Sequence, residues 1–292
     1  MTYGVVCTNF NNTHFTATMI ESLVAGAKPP ERIVVVDNAS TSEDQEQLKA
    51  LADAYPAVDV VLNAANFGYF PGLNVGIRKL REQNPKLDYI LAGNNDLTFP
   101  ADFGVRLEQR LAELSPHPVV VPDIITADGL HQNPMVPRAP SPFREFMYDL
   151  YYSSYPLARA INLIAKSAGV ASSMRHAPNY QSPGLVYSGV GALYILTMTF
   201  FDHFYELWAP GFLMGEEFFL LHQLSERGLK TYYDPNLTVH HFFNGSVKQV
   251  PKRKMWEFGS SSHWLRRQYV KGSGIETFHP QTSHVAIPFR TA

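Results

Sequence analysis

The chain has 292 residues, 45% hydrophobic and 17% charged, which is enough apolar material for a substantial core and excludes wholesale disorder. A net charge of −2 argues against a whole-chain nucleic-acid binder, and a single cysteine, Cys7, excludes an intramolecular disulfide and argues against a thiolate zinc cluster. No apolar run is long enough to span a bilayer, and the opening residues read as a strand and not as a secretory leader.

Gly4 to Cys7 is a short apolar run that reads as a buried strand. Phe15, Met19 and Leu23 then recur as one face of a helix that stops near Gly26. Ile33 to Val36 is a second strand, closed by Asp37 and Asn38. Ser42 with Gln45 three residues on predicts a capping box for a helix running through Leu48, Leu51 and Tyr55. Val58 to Leu62 gives a third strand, and Pro71 to Gln83 a helix through Leu73, Ile77 and Leu80. Tyr89 to Ala92 is a fourth strand, ending in Gly93-Asn94-Asn95-Asp96. Phe103, Leu107, Leu111 and Leu114 predict one more helix, and Val119 to Val121 one more strand.

This alternation predicts an α/β fold with a mostly parallel, doubly wound, Rossmann-like sheet. Ligands of such sheets bind beyond the carboxyl ends of the strands, where Asn9, Asp37, Asn66 and Asp96 fall. Each of these alone is equally a turn or cap residue; Asp37 and Asp96 together point to a site. The first turn, Thr8-Asn9-Phe10-Asn11-Asn12, contains no glycine, so the dinucleotide fingerprint is missing, and no Walker loop is present. Farther on, Leu220, Leu221 and Leu224 mark a helix that Gly228 ends, and Thr238-Val239-His240-His241 reads as a strand.

Several of these segments resemble family 2 glycosyltransferases, which have the GT-A fold. Val34-Val35-Val36-Asp37-Asn38-Ala39-Ser40 is similar to that family's second-strand motif. Asn66 to Gly76 resembles its N-x-G-F-x-x-G-x-N-x-G stretch, and Asn94-Asn95-Asp96 a shortened D-x-D. Phe212 to Gly228 resembles its helix with an acidic pair, here Glu216-Glu217, and the Thr238 strand its late V-x-H motif. The motifs occur in the family's order, and the set is most similar to rhamnosyltransferase-like enzymes of bacterial surface-polysaccharide synthesis.

The resemblance implies a GT-A-type fold, with residues 1–125 as the nucleotide-sugar-binding half and residues 126–247 as the acceptor and catalytic half of the same domain. The second half carries an aromatic-rich helical acceptor region, and residues 248–292 form a basic C-terminal extension. The implied activity is metal-dependent, inverting transfer of a sugar from a UDP- or dTDP-linked donor to a hydroxyl of a saccharide or lipid-linked saccharide. Thr8 and Asn9 would line the base and ribose, and Asp37 would accept from a pyrimidine N3–H. Asn66 would shape the loop under the nucleotide, and Asn95 and Gly189 would border the donor. Asp96 would bind Mg²⁺ or Mn²⁺, with His241 as second ligand. Asn94 replaces an acid that the family often has there, which leaves one carboxylate in the motif. Neighbouring strand residues face opposite ways, so His240 falls out of register. Glu217 aligns with the general base, usually Asp, and Glu216 is its acidic partner. The plainer alternative is two acids in a first helical turn, where they are favoured anyway.

The second half is rich in aromatics, and the whole chain has 19 Phe, 15 Tyr and 3 Trp. Pro134, Pro137, Pro140 and Pro142 mark a loop, after which Phe143 to Lys166 reads as one or two amphipathic helices. A lid over the donor, a dimer face or core packing are the plain readings; a surface for a membrane-bound acceptor is the sharper one. Lys248, Lys252, Arg253, Lys254, Arg266, Arg267 and Lys271 read as a solvated basic face, with phosphate or anionic lipid as alternative contacts. The expectation is a cytoplasmic protein without a nucleic-acid partner, with peripheral contact at the inner membrane face left open. Two other classes stay open: a non-catalytic sugar-nucleotide or glycan-binding protein on this fold, and a nucleotidyltransferase.

Overall fold

In the first strand, β1 (Tyr3–Asn9), alternate side chains enter two different cores: Val5 and Cys7 join one, Val6 the other, and all three are buried. A strand covered on both faces reads as an unbroken apolar run, which is why Gly4 to Cys7 shows no polar alternation. The computed structural model describes residues 1–136, 138–167, 176–242 and 252–271. Pro137, Lys248 and the last 21 residues, 272–292, lie outside them.

The elements after β1 are α1 (Thr13–Val24), β2 (Arg32–Asp37), α2 (Ser42–Ala54), β3 (Val58–Leu62), α3 (Tyr69–Gln83), β4 (Tyr89–Asn94), β5 (Leu97–Thr98), α4 (Phe103–Gln109), α5 (Leu111–Leu114) and β6 (Val119–Thr126). There follow α6 (Pro142–Ser153), α7 (Tyr155–Ser167), β7 (Gly184–Val186), β8 (Leu193–Thr197), α8 (Met198–His203), α9 (Glu216–Ser225), β9 (Thr231–His241) and α10 (Lys252–Lys271). One sheet takes strands from both halves of the chain, in the order β3-β2-β1-β4-β8-β6-β9-β5, with β7 also on β9. β1, β2, β3, β4, β6 and β9 run one way; β8, β5 and β7 run against them. The chain is thus a mixed α/β fold on a mostly parallel sheet, with β8 as the reversed strand inside it.

α1, α2 and α4 cover one face through Met19, Ile20, Leu23, Leu48, Phe103 and Leu107. α3, α8 and α9 cover the other through Phe70, Leu73, Ile77, Phe200, Leu220 and Leu224. Each of these buried side chains contributes about 1.5–3 kcal/mol over an exposed one.

Several boundaries differ from the sequence expectation. The N-cap of α2 is Thr41, whose hydroxyl accepts from the Asp44 N–H at 3.4 Å. Ser42 is already helical, and the Gln45 side chain donates to Asp37 Oδ2 at 3.0 Å, so the pair forms no capping box. α3 starts at Tyr69, two residues before Pro71. The single helix expected over Phe103 to Leu114 breaks at Arg110. β9 is much longer than its last four residues. It runs from Thr231 beside β6 and bulges after Asp234, where the register jumps from Pro122 opposite Asp234 to Asp123 opposite Thr238.

The aromatic region is a two-helix hairpin. Ser154, in extended conformation, separates α6 from α7. α10 clamps it: Arg266 forms a forked pair with Glu145 (3.2 and 2.6 Å), and Arg267 reaches Asp149 at 2.7 Å. Arg266 is buried. These two arginines therefore hold helices together instead of forming an open basic face. The opposite stripe leaves Phe143, Phe146, Leu163 and Ile164 exposed, at 71, 59, 70 and 67%. Core packing is thereby overturned for these four. No helix among the described residues is long and apolar enough to cross a membrane.

Candidate active site

β1, β2 and β4 are parallel neighbours, so their carboxyl ends share one edge of the sheet. Strand order reverses between β1 and β4, and a crevice opens at such a point. Asn9 and Asp37 end β1 and β2, and Asn95 and Asp96 follow β4. The amino end of β8 comes to the same edge, because Asn94 N donates to Ala192 O at 2.8 Å.

Two groups of residues gather there. The first is a buried polar network. Asn9 donates to Asp37 Oδ1 at 3.1 Å and to Asp44 Oδ2 at 2.7 Å, and its own oxygen accepts from Thr16 and Asn95. Asp37 is fully buried and accepts further from Ser40 N–H (3.0 Å), the Ser40 hydroxyl and Gln45. Asn95 donates to Asn12 at 2.8 Å and Thr16 at 2.7 Å. Asn9, Asp37 and Asn95 thus have their polar atoms committed within the chain, and they set the shape of the β1 and β4 loops. Thr8 is half-buried, opposite Val36 and Asn94 in register. Asn66 accepts from Gly68 N–H at 3.0 Å in a tight turn. Gly68 has a φ of +89°, and a side chain on it would collide with the Phe212 carbonyl. That contact ties the α3 entrance to the segment leading into α9. Gly189 packs directly on Val121.

The second group is acidic. Asp96 Oδ1 is buried, has no hydrogen bond among the described residues, and lies 3.2 Å from His241 Nε2. Backbone pairing enforces this meeting: Leu97 in β5 faces His241 in β9, and Phe242 N–H donates to Asp96 O at 3.0 Å. Strand alternation buries His241 and exposes His240. A buried carboxylate oxygen without a donor, beside an imidazole nitrogen, is a donor set that fits a divalent cation. No group of three or more His, Cys, Asp or Glu side chains among the described residues is arranged to hold a metal ion. The remaining coordination would have to come from water and substrate oxygens, as Mg²⁺ in particular favours.

Glu216 and Glu217 open α9, after Met214 and Gly215 in left-handed conformation (φ +75° and +82°). Glu216 is buried, with Oε1 unpaired among the described residues. Burial, and then the charge of Glu217, push its carboxyl up to about 8. Glu217 is half-buried, and desolvation raises its carboxyl too. Tyr69 connects the groups. Its hydroxyl donates to Gly191 O at 2.6 Å, and its pKa is raised by burial and by the charges of Glu216, Asp96, Cys7 and Glu217. Tyr194, whose hydroxyl is also unpaired among the described residues, feels Glu217, Tyr69 and Glu216. Sequence reasoning assigned no role to Tyr69, Tyr194 or Gln132. Tyr69 lies inside the Asn66 to Gly76 motif, but the other two carry no local motif. A cleft lined by Arg78, Arg81, Asn84 and Tyr205 opens at the opposite edge of the sheet, near the start of β4, and takes no part in this arrangement.

A model of the family described as glycosyl transferase family 2 matches residues 5–164. Among solved structures, the chain is similar to GalNAc-T7 with UDP, GalNAc and Mn²⁺, at 15% identity and a TM-score of 0.62, over 92% of this chain and 48% of that one. It is also similar to a mannosyltransferase from Pyrobaculum calidifontis in complex with GDP-Man and Mn²⁺, at 14% identity and a TM-score of 0.55, over 94% and 65%. S. aureus TarS, residues 1–349, aligns at 11% identity and a TM-score of 0.50, over 92% and 72%. At these identities the likeness is one of fold, and the chain spans about half the length of the GalNAc-T7 chain. No curated protein matches the sequence.

Proposed function

The chain belongs to glycosyl transferase family 2, and from that membership we propose that it is a metal-dependent, inverting glycosyltransferase acting on a nucleotide-sugar donor. The observation that carries the proposal is the buried pairing of Asp96 with His241 at the carboxyl edge of the sheet, where Tyr69 N–H donates to Phe212 O in the segment that leads to Glu216 and Glu217. The base-side loop is held by Asn9, Asp37 and Asn95, with Thr8 and Asn66 at its surface. Asp37 acts by fixing Ser40 and Gln45, and so by fixing the wall against which a base lies. Asp96 Oδ1 and His241 Nε2 would hold Mg²⁺ or Mn²⁺, which when bound neutralises charge on the leaving nucleoside diphosphate. Glu217 takes the proton of the acceptor hydroxyl. Its raised pKa makes it a stronger base than an exposed glutamate, which favours that transfer. Glu216, protonated at neutral pH, keeps a second negative charge away from the base. Gly189 leaves space for the sugar.

UDP- and dTDP-linked sugars, the rhamnose donor among them, are the first to assay, together with a GDP-linked sugar in view of the mannosyltransferase likeness. For the acceptor, the exposed Phe143, Phe146, Leu163 and Ile164 favour a lipid-linked saccharide over a free one, in bacterial polysaccharide synthesis at a membrane face. The deciding experiment incubates the chain with each donor, Mn²⁺ and saccharide or polyprenyl-linked acceptors, and identifies the released product. Nucleoside diphosphate supports the proposal. In a parallel incubation with a nucleoside triphosphate and a sugar 1-phosphate, release of pyrophosphate would make the chain a nucleotidyltransferase, and donor binding without turnover of any kind would make it a binding protein.

A further inference from the structure

The His241 ring is engaged on both sides. Nε2 lies 3.2 Å from Asp96 Oδ1, and Nδ1 lies 2.9 Å from the side-chain carbonyl oxygen of Gln132. A carbonyl oxygen only accepts, so Nδ1 carries a proton, and Nε2 is the ring nitrogen that faces Asp96. Asp96 Oδ1 receives no hydrogen bond among the described residues, although Nε2 approaches it to 3.2 Å in a buried place, so a carboxylate oxygen and an imidazole nitrogen stand where one cation could be shared.

We infer that Gln132 is a positioning residue for the cation: its carbonyl oxygen selects the His241 tautomer and ring orientation that offer Nε2 as a ligand. This rests on the reading of Asp96 and His241 as the cation's ligands. Imidazole ligands generally need such a partner on the other nitrogen.

The loop that carries Gln132 is built to hold it still. Gln132 N–H donates to Ile124 O at 2.8 Å, and Thr126 N–H to Leu130 O at 2.9 Å, folding the segment after β6 back onto its own strand. Next in the chain, His131 Nδ1 lies 2.6 Å from Asp123 Oδ2, and its ring stacks on Tyr180 at 4.1 Å. Because β6 pairs directly with β9, the loop and the histidine share one rigid base.

The test titrates Mn²⁺ into the full chain, with and without UDP, GDP or dTDP, and follows the electron paramagnetic resonance of unbound Mn²⁺. Gln132→Leu is expected to weaken Mn²⁺ binding by about 10- to 100-fold. Gln132→Glu keeps an acceptor oxygen at the same reach and is expected to bind at least as well as the parent. Long-range ¹H–¹⁵N spectra of histidine-labelled protein, with His241 identified by its loss in His241→Ala, are expected to show the Nδ1–H form in the metal-free parent and in Gln132→Glu, and a tautomer mixture in Gln132→Leu. If the leucine lowers the melting temperature, Gln132→Met, of closer length, replaces it. Parent-like Mn²⁺ binding in Asp96→Asn, or none in the parent, would sink the ligand reading itself. Loss in Asp96→Asn with an unchanged affinity and tautomer in Gln132→Leu overturns the role of Gln132 and leaves the ligand reading standing.

Discussion

Asp96 Oδ1 and His241 Nε2 stand 3.2 Å apart, buried and without a hydrogen bond between them, although about half of the chain separates the two residues in sequence. If both ligate one cation, their substitutions are not independent. Asp96→Ala and His241→Ala should each raise the Mn²⁺ concentration needed for half-maximal turnover. The double variant should be little worse than the poorer single one, a coupling of about 0.5–3 kcal/mol. Strict additivity in that cycle would separate the two side chains functionally.

Glu217 should carry the base role. Glu217→Gln keeps size and polarity but cannot take a proton, so turnover should fall by about 10²- to 10⁴-fold with donor affinity nearly unchanged. In the parent, activity should rise with pH through an ionisation above the usual glutamate range, because burial raises this carboxyl. A single-turnover pH profile checks this; near-parental transfer by the glutamine variant would remove Glu217 from the mechanism.

Glu216 should make stability depend on pH. Its folded pKa, about 8, lies above the ordinary 4.5, so between those values the folded chain binds a proton that the unfolded chain has released. Its contribution is therefore full below about 4.5 and is lost as pH rises through about 8. Calorimetric melting at pH 5 and 8.5 should show Glu216→Gln gaining on the parent at the higher pH. An equal gap at both would show that the carboxyl is ionised throughout.

Asn95 should act through the fold. Asn95→Ala removes donors that reach Asn9, Asn12 and Thr16 at 3.1, 2.8 and 2.7 Å, leaving buried acceptors unmatched. Urea unfolding should report a loss of about 1–3 kcal/mol. A change within error would mean that water replaces the amide.

Arg266 should hold α10 in place. Its guanidinium forks onto Glu145 and lies 5.1 Å from the Phe218 ring centre, so Arg266→Ala strands a carboxylate and uncovers an aromatic face. The loss should be about 3 kcal/mol, with hydrogen exchange in α10 accelerating before that in β1. Uniform acceleration across the sheet would argue against a locally docked helix.

Much of the sheet was legible in the sequence because β1, β2 and β4 are covered on both faces and show as apolar runs ending in Asn or Asp. Thr41 was missed as a cap because Ser42 is an equally good hydroxyl one residue away; only the backbone angles separate them. The polar network was legible in its members and not in its direction. Asn9 and Asn95 read as ligand-facing because they end strands, whereas tertiary packing turns them toward Thr16 and each other. His241 could be picked over His240 because alternation has period two. Gln132 carries no signal, since its partner comes from a strand a hundred residues later. The α6–α7 stripe left a lid, a dimer face and core packing open alike, because aromatic spacing does not tell which helix will cover it.

The two-residue strand β5 gives the molecule an order of events in time. β1 to β4 can begin to pair as soon as they leave the ribosome. Asp96 acquires its imidazole only when β9, the last strand among the described residues, has settled beside β6 and its tip has met Leu97 and Thr98. A chain stalled before that step, or shifted in register along β9, would own most of a sheet and half of a chelate. If Asp96 and His241 are the ligands proposed above, cation uptake would be a receipt for completed folding, issued by β9.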